Sequence, residues 1–120
     1  MKYLCLIYDN EKNWLETTPE EQGRIFAAHQ NVMEEAQKRG QFAGGEGLEP
    51  SRNGKVLRVR DGKTVTTDGP FMELKEQLGG FYMFDCETIE QALELAAKIP
   101  EAESGSIEIR PCMVYDGMDG

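Results

Sequence analysis

His29 is the one imidazole of the chain, and it is the residue whose type is best suited to acid-base chemistry. It lies in a segment of helical period and shares a face with apolar residues at spacings of three and four, namely Ile25, Val32, Met33 and Ala36. This pattern predicts an inward side chain. Such a histidine is either a general acid or base, or a core residue held by one backbone carbonyl or water, and the sequence leaves both open.

The segment Asp68-Gly69-Pro70-Phe71 is the second candidate site. Aspartate bonds nearby amides and proline fixes φ, so these residue types predict a rigid loop between a hairpin and a strand. Either the loop only directs the following strand, or it places Asp68 as a catalytic carboxylate at the mouth of a pocket. In the second case Phe71 is a candidate ligand contact.

Tyr8, Tyr82 and Arg110 are the other candidate ligand-binding residues. The two phenols could donate to a bound molecule, and the guanidinium suits a carboxylate. Core tyrosines and a protein carboxylate beside Arg110 are the alternatives. One histidine and scattered thiols give no ligand spacing for zinc, and no glycine loop has a phosphate-binding pattern. We therefore expect neither a metal nor a cofactor.

Composition limits the class of protein. The 120 residues fit one domain, spanning 1–120, and 22 acidic against 13 basic residues give a net charge of −9. Such a surface repels phosphate backbones and anionic lipids, so neither nucleic acid nor membrane is an expected partner. Three dispersed cysteines and an opening apolar run too short for a signal peptide predict a cytoplasmic protein.

The elements alternate along the chain. Strands are predicted at 2–9, 41–48, 78–85 and 106–114, with an irregular stretch at 10–17 and a hairpin at 55–67 closed by Asp61-Gly62. Thr18-Pro19-Glu20-Glu21 predicts the start of a long helix, and Thr88 the start of a second helix that Pro100 stops. This order predicts an α+β, ferredoxin-like βαββαβ sheet with an inserted hairpin and both helices on one face.

The two central strands of that sheet are apolar on both faces, as in Tyr3-Leu4-Cys5-Leu6-Ile7-Tyr8 and Phe81-Tyr82-Met83-Phe84. Two helices cover one face, so the other needs a second cover. A second copy of the chain supplies it by two-fold symmetry, which predicts a homodimer of the α+β barrel type.

The run Thr67-Asp68-Gly69-Pro70-Phe71-Met72-Glu73-Leu74-Lys75-Glu76-Gln77-Leu78-Gly79-Gly80 resembles the signature of the DGPF branch of YCII-related proteins. Three further segments are similar to that branch: the opening Met1-Lys2-Tyr3, Gly45-Glu46-Gly47-Leu48 and Glu108-Ile109-Arg110-Pro111. Two residues within the run, Met72 and Leu74, depart from the usual pattern of the branch. The resemblance implies a dimeric ferredoxin-like barrel without an assigned activity, often encoded beside sigma factors.

These observations lead to one functional hypothesis and one alternative. The first is a cofactor-independent acid-base enzyme that acts on a small polar or aromatic molecule, with His29 as acid or base and Asp68 and Arg110 as orienting groups. The alternative is a non-catalytic ligand-binding or regulatory dimer linked to transcription. Whether the protein is an enzyme is left open by the sequence.

Overall fold

A four-stranded antiparallel sheet is the centre of the computed structural model, which describes residues 1–115. The elements in chain order are β1 (Lys2–Asp9), α1 (Glu11–Leu15), α2 (Pro19–Lys38), β2 (Phe42–Gly47), β3 (Lys55–Arg60), β4 (Lys63–Asp68), β5 (Gln77–Asp85), α3 (Ile89–Ala96), α4 (Glu101–Ser104) and β6 (Ser106–Pro111). The main sheet has the order β2-β5-β1-β6, and β3 and β4 form a second sheet. The chain thus has a mixed α+β fold, as the sequence predicts.

The core lies on one face of the main sheet. Tyr3, Cys5 and Ile7 alternate inward along β1 and are buried, while the residues between them are half-buried. The helices α2 and α3 cover this face with Val32, Ala36, Ala92, Leu95 and Ala96, all buried. The opposite face carries the half-buried residues of the two central strands, which include Leu4, Leu6, Phe81 and Met83.

The start of α2 confirms the predicted cap. The Thr18 hydroxyl accepts a hydrogen bond of 3.1 Å from the Glu21 amide, and Pro19 is the first helical residue. Within residues 1–115, no helix has both the length and the apolar character needed to cross a membrane.

Replacing Thr18 with alanine is expected to lower the free energy of unfolding by about 1 kcal/mol, because the capped amide loses its acceptor. Urea denaturation monitored by circular dichroism measures the change. Thr18→Ser retains a hydroxyl and serves as the control, with stability close to wild type. Equal loss in both variants would contradict a role for the cap.

Three differences from the prediction are larger than one residue. The stretch at 10–17 contains α1, which Asn10 caps by accepting from the Lys12 amide at 3.0 Å. The second helix ends at Ala96, and the short helix α4 follows Pro100. The last strand ends at Pro111, whose ring removes a backbone donor. Each difference comes from local hydrogen bonding that residue periodicity does not encode.

The predicted hairpin is present as β3 and β4, with Lys55 opposite Asp68 and Arg60 opposite Lys63. Asp61 and Gly62 form its turn with φ values of 52° and 75°. Positive φ at both turn positions matches the twist of paired strands, which explains the Asp-Gly pair.

Candidate functional site

His29 lies midway along α2, on the side that faces the sheet. Val32 and Ala36, three and seven residues later, are buried on the same face. The imidazole itself retains 22% of its side-chain exposure. It therefore points inward, as the helical period predicts, and it remains in contact with solvent.

Both ring nitrogens of His29 have partners. Nδ1 lies 2.7 Å from the Tyr82 hydroxyl oxygen on β5. Nε2 contacts both carboxylate oxygens of Glu101, with Oε2 at 2.9 Å. Three side chains from α2, β5 and α4 thus form one hydrogen-bonded chain, which we call the His29 triad.

The carboxylate determines the tautomer of the neutral imidazole. An ionised Glu101 carboxylate can only accept hydrogen bonds, so Nε2 carries the ring proton and donates a hydrogen bond to the carboxylate. Nδ1 is then an acceptor, and the Tyr82 hydroxyl donates to it. The alternative acceptor for that hydroxyl is the His29 carbonyl oxygen at 3.5 Å. When the imidazole is charged, Nδ1 can donate to Tyr82, whose own proton turns to this carbonyl.

Glu101 is the member of the triad that sequence reasoning missed. It is the first residue of α4, directly after Pro100, and its side chain is 19% exposed. The chain has 22 acidic residues, and nothing in the local pattern separates this one from its neighbours. The feature of the sequence that could have indicated Glu101 is its position between Pro100, which stops a helix, and the closing strand, where the chain must return to the sheet.

Tyr82 is held firmly at the base of the site. Its ring stacks on Phe84 with centroids 5.6 Å apart and packs over Gly45 on β2. A Cβ atom at Gly45 would lie 2.7 Å from the Tyr82 ring, so a side chain there would displace the tyrosine. Burial, and secondarily the Glu101 charge, raises the pKa of Tyr82 to about 12.

Stability is expected to fall as the pH rises from about 10 to 12. The unfolded phenol ionises near 10.0 and the folded one at about 12, so the unfolded state binds fewer protons within this window. The tyrosine contribution, about 3 kcal/mol, is complete below pH 10 and lost towards pH 12. Urea titrations at several pH values measure it, and Tyr82→Phe should flatten the profile. An unchanged slope in that variant would contradict the assignment.

Two surface features lie on α2 within one or two turns of His29 along the sequence. A depression of about 300 Å³ lies between α2 and the end of α3, lined by Ala28, Asn31, Val32, Glu35 and Lys98. On α2, one turn before the histidine, Phe26 meets Trp14 edge to face at 5.4 Å, and both rings are exposed. The first surface offers polar contacts and the second offers aromatic ones.

Asp68 lies away from this triad, at the end of the β3–β4 hairpin. Its carboxylate is paired with Lys55, which holds the pKa of Asp68 below its usual range. The next amide, that of Gly69, donates to the Gly54 carbonyl at 2.8 Å. Phe71 is exposed, with the Arg58 guanidinium 5.6 Å from its ring centre.

Arg110 and Tyr8 lie on the outward face of the sheet. Arg110 is opposite Leu4 in the register and pairs with Glu108 at 2.5 Å, which raises its pKa. Tyr8 is opposite Ser106. The structure therefore brings His29 and Tyr82 together, and it places Tyr8 and Arg110 on the other side of the sheet.

Within residues 1–115, no group of three or more His, Cys, Asp or Glu side chains is arranged to hold a metal ion. The His29 triad joins a carboxylate, an imidazole and a phenol by hydrogen bonds, and groups of these types are able to exchange protons.

Comparisons with known proteins identify the family. The model of the YCII-related domain matches residues 1–116. An uncharacterized protein of Rhizobium meliloti (strain 1021) is 38% identical in a match that covers 96% of this chain and 94% of that protein. Both matches span nearly the whole sequence, so the chain belongs to the family of YCII-related domain proteins.

Proposed function

We propose that the protein is a cofactor-independent acid-base enzyme of the DGPF branch, acting on a small polar or aromatic molecule as a ferredoxin-like homodimer. The observation that carries the proposal is the pairing of both His29 nitrogens with Tyr82 and Glu101. A general acid or base must be stable in two protonation states, and these partners supply a hydrogen bond in each.

The triad can relay one proton. An acidic hydrogen of the substrate moves to the Tyr82 oxygen while the tyrosine proton moves to Nδ1 of His29. The products are a substrate anion and an imidazolium, and the Glu101 carboxylate stabilises that cation. Return of the proton to another substrate atom restores the neutral imidazole, so the net reaction is an isomerisation or exchange with no change in oxidation state.

The remaining candidates have separate roles in this proposal. Within the chain, Asp68 contacts Lys55 and Phe71 contacts Arg58. The loop that carries Asp68 and Phe71 therefore faces a substrate only if dimerisation brings it to the His29 triad of a second chain. Tyr8 and Arg110 lie on the outward face of the sheet, where a partner would cover them. The proposed ligand contacts therefore depend on assembly, whereas the triad is complete in one chain.

Hydrogen exchange in D₂O tests the catalytic proposal. The probes are small carboxylic acids with or without a phenol ring. Wild type should accelerate the exchange of an activated C–H hydrogen of the probe for deuterium, which NMR measures as loss of the proton signal. His29→Gln and Glu101→Gln should slow that exchange by about 100-fold or more, because the relay loses its base or its counter-charge. Gln30→Ala, next in sequence and exposed, is the matched control and should exchange at the wild-type rate.

A second function is favoured by the exposed apolar side chains. Leu57, Phe71 and Met72 are each more than half exposed, which is typical of a surface that binds another protein. The alternative is thus a ligand-binding or regulatory dimer connected with transcription. Two results together would favour the ligand-binding or regulatory dimer over the enzyme. The first is that wild type accelerates hydrogen exchange in none of the probe molecules, and the second is that ligand-induced NMR shifts are the same in His29→Gln as in wild type.

Dimerisation is proposed through the outward face of the main sheet. Its strand order and the helices on one face support the ferredoxin-like barrel, and the apolar residues Leu4, Leu6, Phe81 and Met83 support burial by a second sheet. Light scattering at low micromolar concentration should give twice the chain mass of 13.5 kDa. Leu6→Glu should dissociate the dimer, whereas Leu15→Glu, which is on exposed α1, should not.

A further inference from the structure

Glu101, which completes the His29 triad, lies on a helix that is too short to be stable alone. The helix α4 has four residues, and Pro100 before it forms no capping hydrogen bond through its side chain. A single helical turn fixes several backbone angles for one hydrogen bond, so it forms only with support from the rest of the fold. The position of the Glu101 carboxylate beside Nε2 of His29 therefore depends on what anchors α4.

The start of α4 is anchored by packing. Ile99, two residues before Glu101, is buried in the core, and its carbonyl accepts a hydrogen bond of 3.0 Å from the Ala102 amide. This packing fixes one end of the turn. Ser104 at the other end is exposed, so a contact outside the core must hold it.

The Asp9 carboxylate at the end of β1 makes that contact. The Ser104 hydroxyl donates a hydrogen bond of 2.7 Å to Oδ2 of Asp9. Hydrogen bonds to an ionised acceptor are shorter and about twice as strong as neutral ones. Beside this bond, Gly105 lies so close to the Tyr8 carbonyl oxygen that an added Cβ atom would overlap it. The end of α4 is thus attached to a central strand of the sheet.

The Asp9 carboxylate is itself held in one orientation. Its other oxygen, Oδ1, accepts hydrogen bonds from the Asn10 backbone amide at 2.8 Å and from the Asn13 side-chain amide at 3.3 Å. Asn10 caps α1 and Asn13 lies within it. Turning the carboxylate away from Ser104 would break both bonds, so Asp9 is a fixed anchor.

We propose that Asp9, acting through the Ser104 hydroxyl, is a positioning residue that holds the Glu101 carboxylate in place for acid-base catalysis. Ser104 and Glu101 are the last and first residues of one helical turn, so they move together if the turn rotates about Ile99. With Ser104 fixed, the carboxylate stays where the imidazolium charge develops. The inference rests on the acid-base function proposed above and adds the residues that keep its counter-charge in place.

The NMR signal of the Nε2–H proton tests this contact. His29 is the one histidine, so in an untagged protein the imidazole signals belong to it. Ser104→Ala should increase the rate at which the Nε2–H proton exchanges with water by about tenfold, because its hydrogen bond to Glu101 opens more often. Ser104→Thr retains a hydroxyl and should exchange at the wild-type rate. An unchanged rate in Ser104→Ala would overturn the inference.

Ser106→Ala is the matched control for that measurement. The Ser106 hydroxyl also donates to a carboxylate, that of Glu76 at 3.2 Å, but Ser106 belongs to β6 and not to α4. Both variants lose an exposed hydroxyl and its bond to an acidic side chain, and only Ser104→Ala should accelerate exchange of the Nε2–H proton. Equal rates in the two variants would show a general loosening and would contradict positioning by Asp9.

A double-mutant cycle connects Asp9 to the serine. Asp9→Ala should accelerate exchange of the Nε2–H proton at least as much as Ser104→Ala, and adding Ser104→Ala to it should change the rate by less than about twofold. Additive effects would mean that the two residues act separately, against the inference. If circular dichroism shows that Asp9→Ala is unfolded, the comparison of Ser104→Ala with Ser106→Ala still tests the contact.

Catalysis separates this inference from the proposed function. In the D₂O exchange assay, Ser104→Ala should lower kcat by about tenfold and leave KM within about twofold of wild type, because its hydroxyl bonds to Asp9 and not to the triad. An active wild type with equal kcat in Ser104→Ala and Ser106→Ala would overturn the positioning role and leave the enzyme proposal intact. An inactive wild type whose Nε2–H exchange responds to Ser104→Ala alone would overturn the enzyme proposal and leave the contact between Asp9 and α4 intact.

Discussion

Replacing Gly105 with alanine is expected to lower the free energy of unfolding by about 3 kcal/mol. Gly105 joins α4 to β6, and an added Cβ would overlap the Tyr8 carbonyl oxygen and lie 3.0 Å from the Asp9 Cα atom. Both are backbone atoms of β1, so no side-chain rotation relieves the overlap. The chain must shift at the point where it enters the sheet.

The same change should disturb the His29 triad. The Gly105 amide donates to the Glu101 carbonyl at 2.8 Å, so movement of Gly105 moves the residue whose carboxylate holds His29. Urea denaturation and the NMR signals of the single imidazole measure the two effects. Gly23→Ala is the matched control, because its Cβ meets nothing within 4 Å and alanine favours the helix by about 1 kcal/mol. Equal stability of the two variants would contradict the overlap.

Replacing Phe84 with alanine is expected to destabilise the protein by about 3 to 5 kcal/mol. Phe84 is completely buried near the end of β5, which is a central strand of the sheet, and lies opposite Tyr3 and Phe42 on the two neighbouring strands. Removing its ring leaves a cavity beneath α2 and α3. It also removes the ring on which Tyr82 stacks, so the hydroxyl that faces His29 loses its support.

The exposed residue Phe71 provides the control for that measurement. Its ring is 67% exposed, so Phe71→Ala should change the free energy of unfolding by about 0.5 kcal/mol or less. Differential scanning calorimetry of both variants separates the core effect from the general effect of losing a phenylalanine. A comparable melting temperature for the two would mean that Phe84 is not a core residue.

The elements that were predictable are those with a local physical cause. Thr18 and Pro19 mark the start of α2, and the Asp61-Gly62 turn sets the register of the hairpin, because capping and turn geometry depend on adjacent residues. The helix α1 was missed because five residues give too little periodicity. The Asn10 side chain caps α1 by accepting a hydrogen bond from the Lys12 amide, and the sequence of the segment alone does not require that bond to form.

The site was predictable in part for the same reason. The inward position of His29 follows from the period of α2. Its contact with Glu101 joins residues 72 positions apart, and the contact with Tyr82 spans 53. These contacts depend on how α2 crosses the sheet and on where α4 begins. No local pattern encodes either of these, so the sequence could offer Asp68 as a partner but could not find Glu101.

The unequal burial of the three thiols makes the native protein suitable for site-specific labelling. Cys5 is fully buried and its pKa is raised to about 12, chiefly by burial, and burial also raises the pKa of Cys86. Cys112 follows β6 and is half-buried, so it is the thiol that a maleimide reaches most readily. One spin label per chain, attached without any substitution, would allow electron paramagnetic resonance to test the proposed dimer by the distance between two labels.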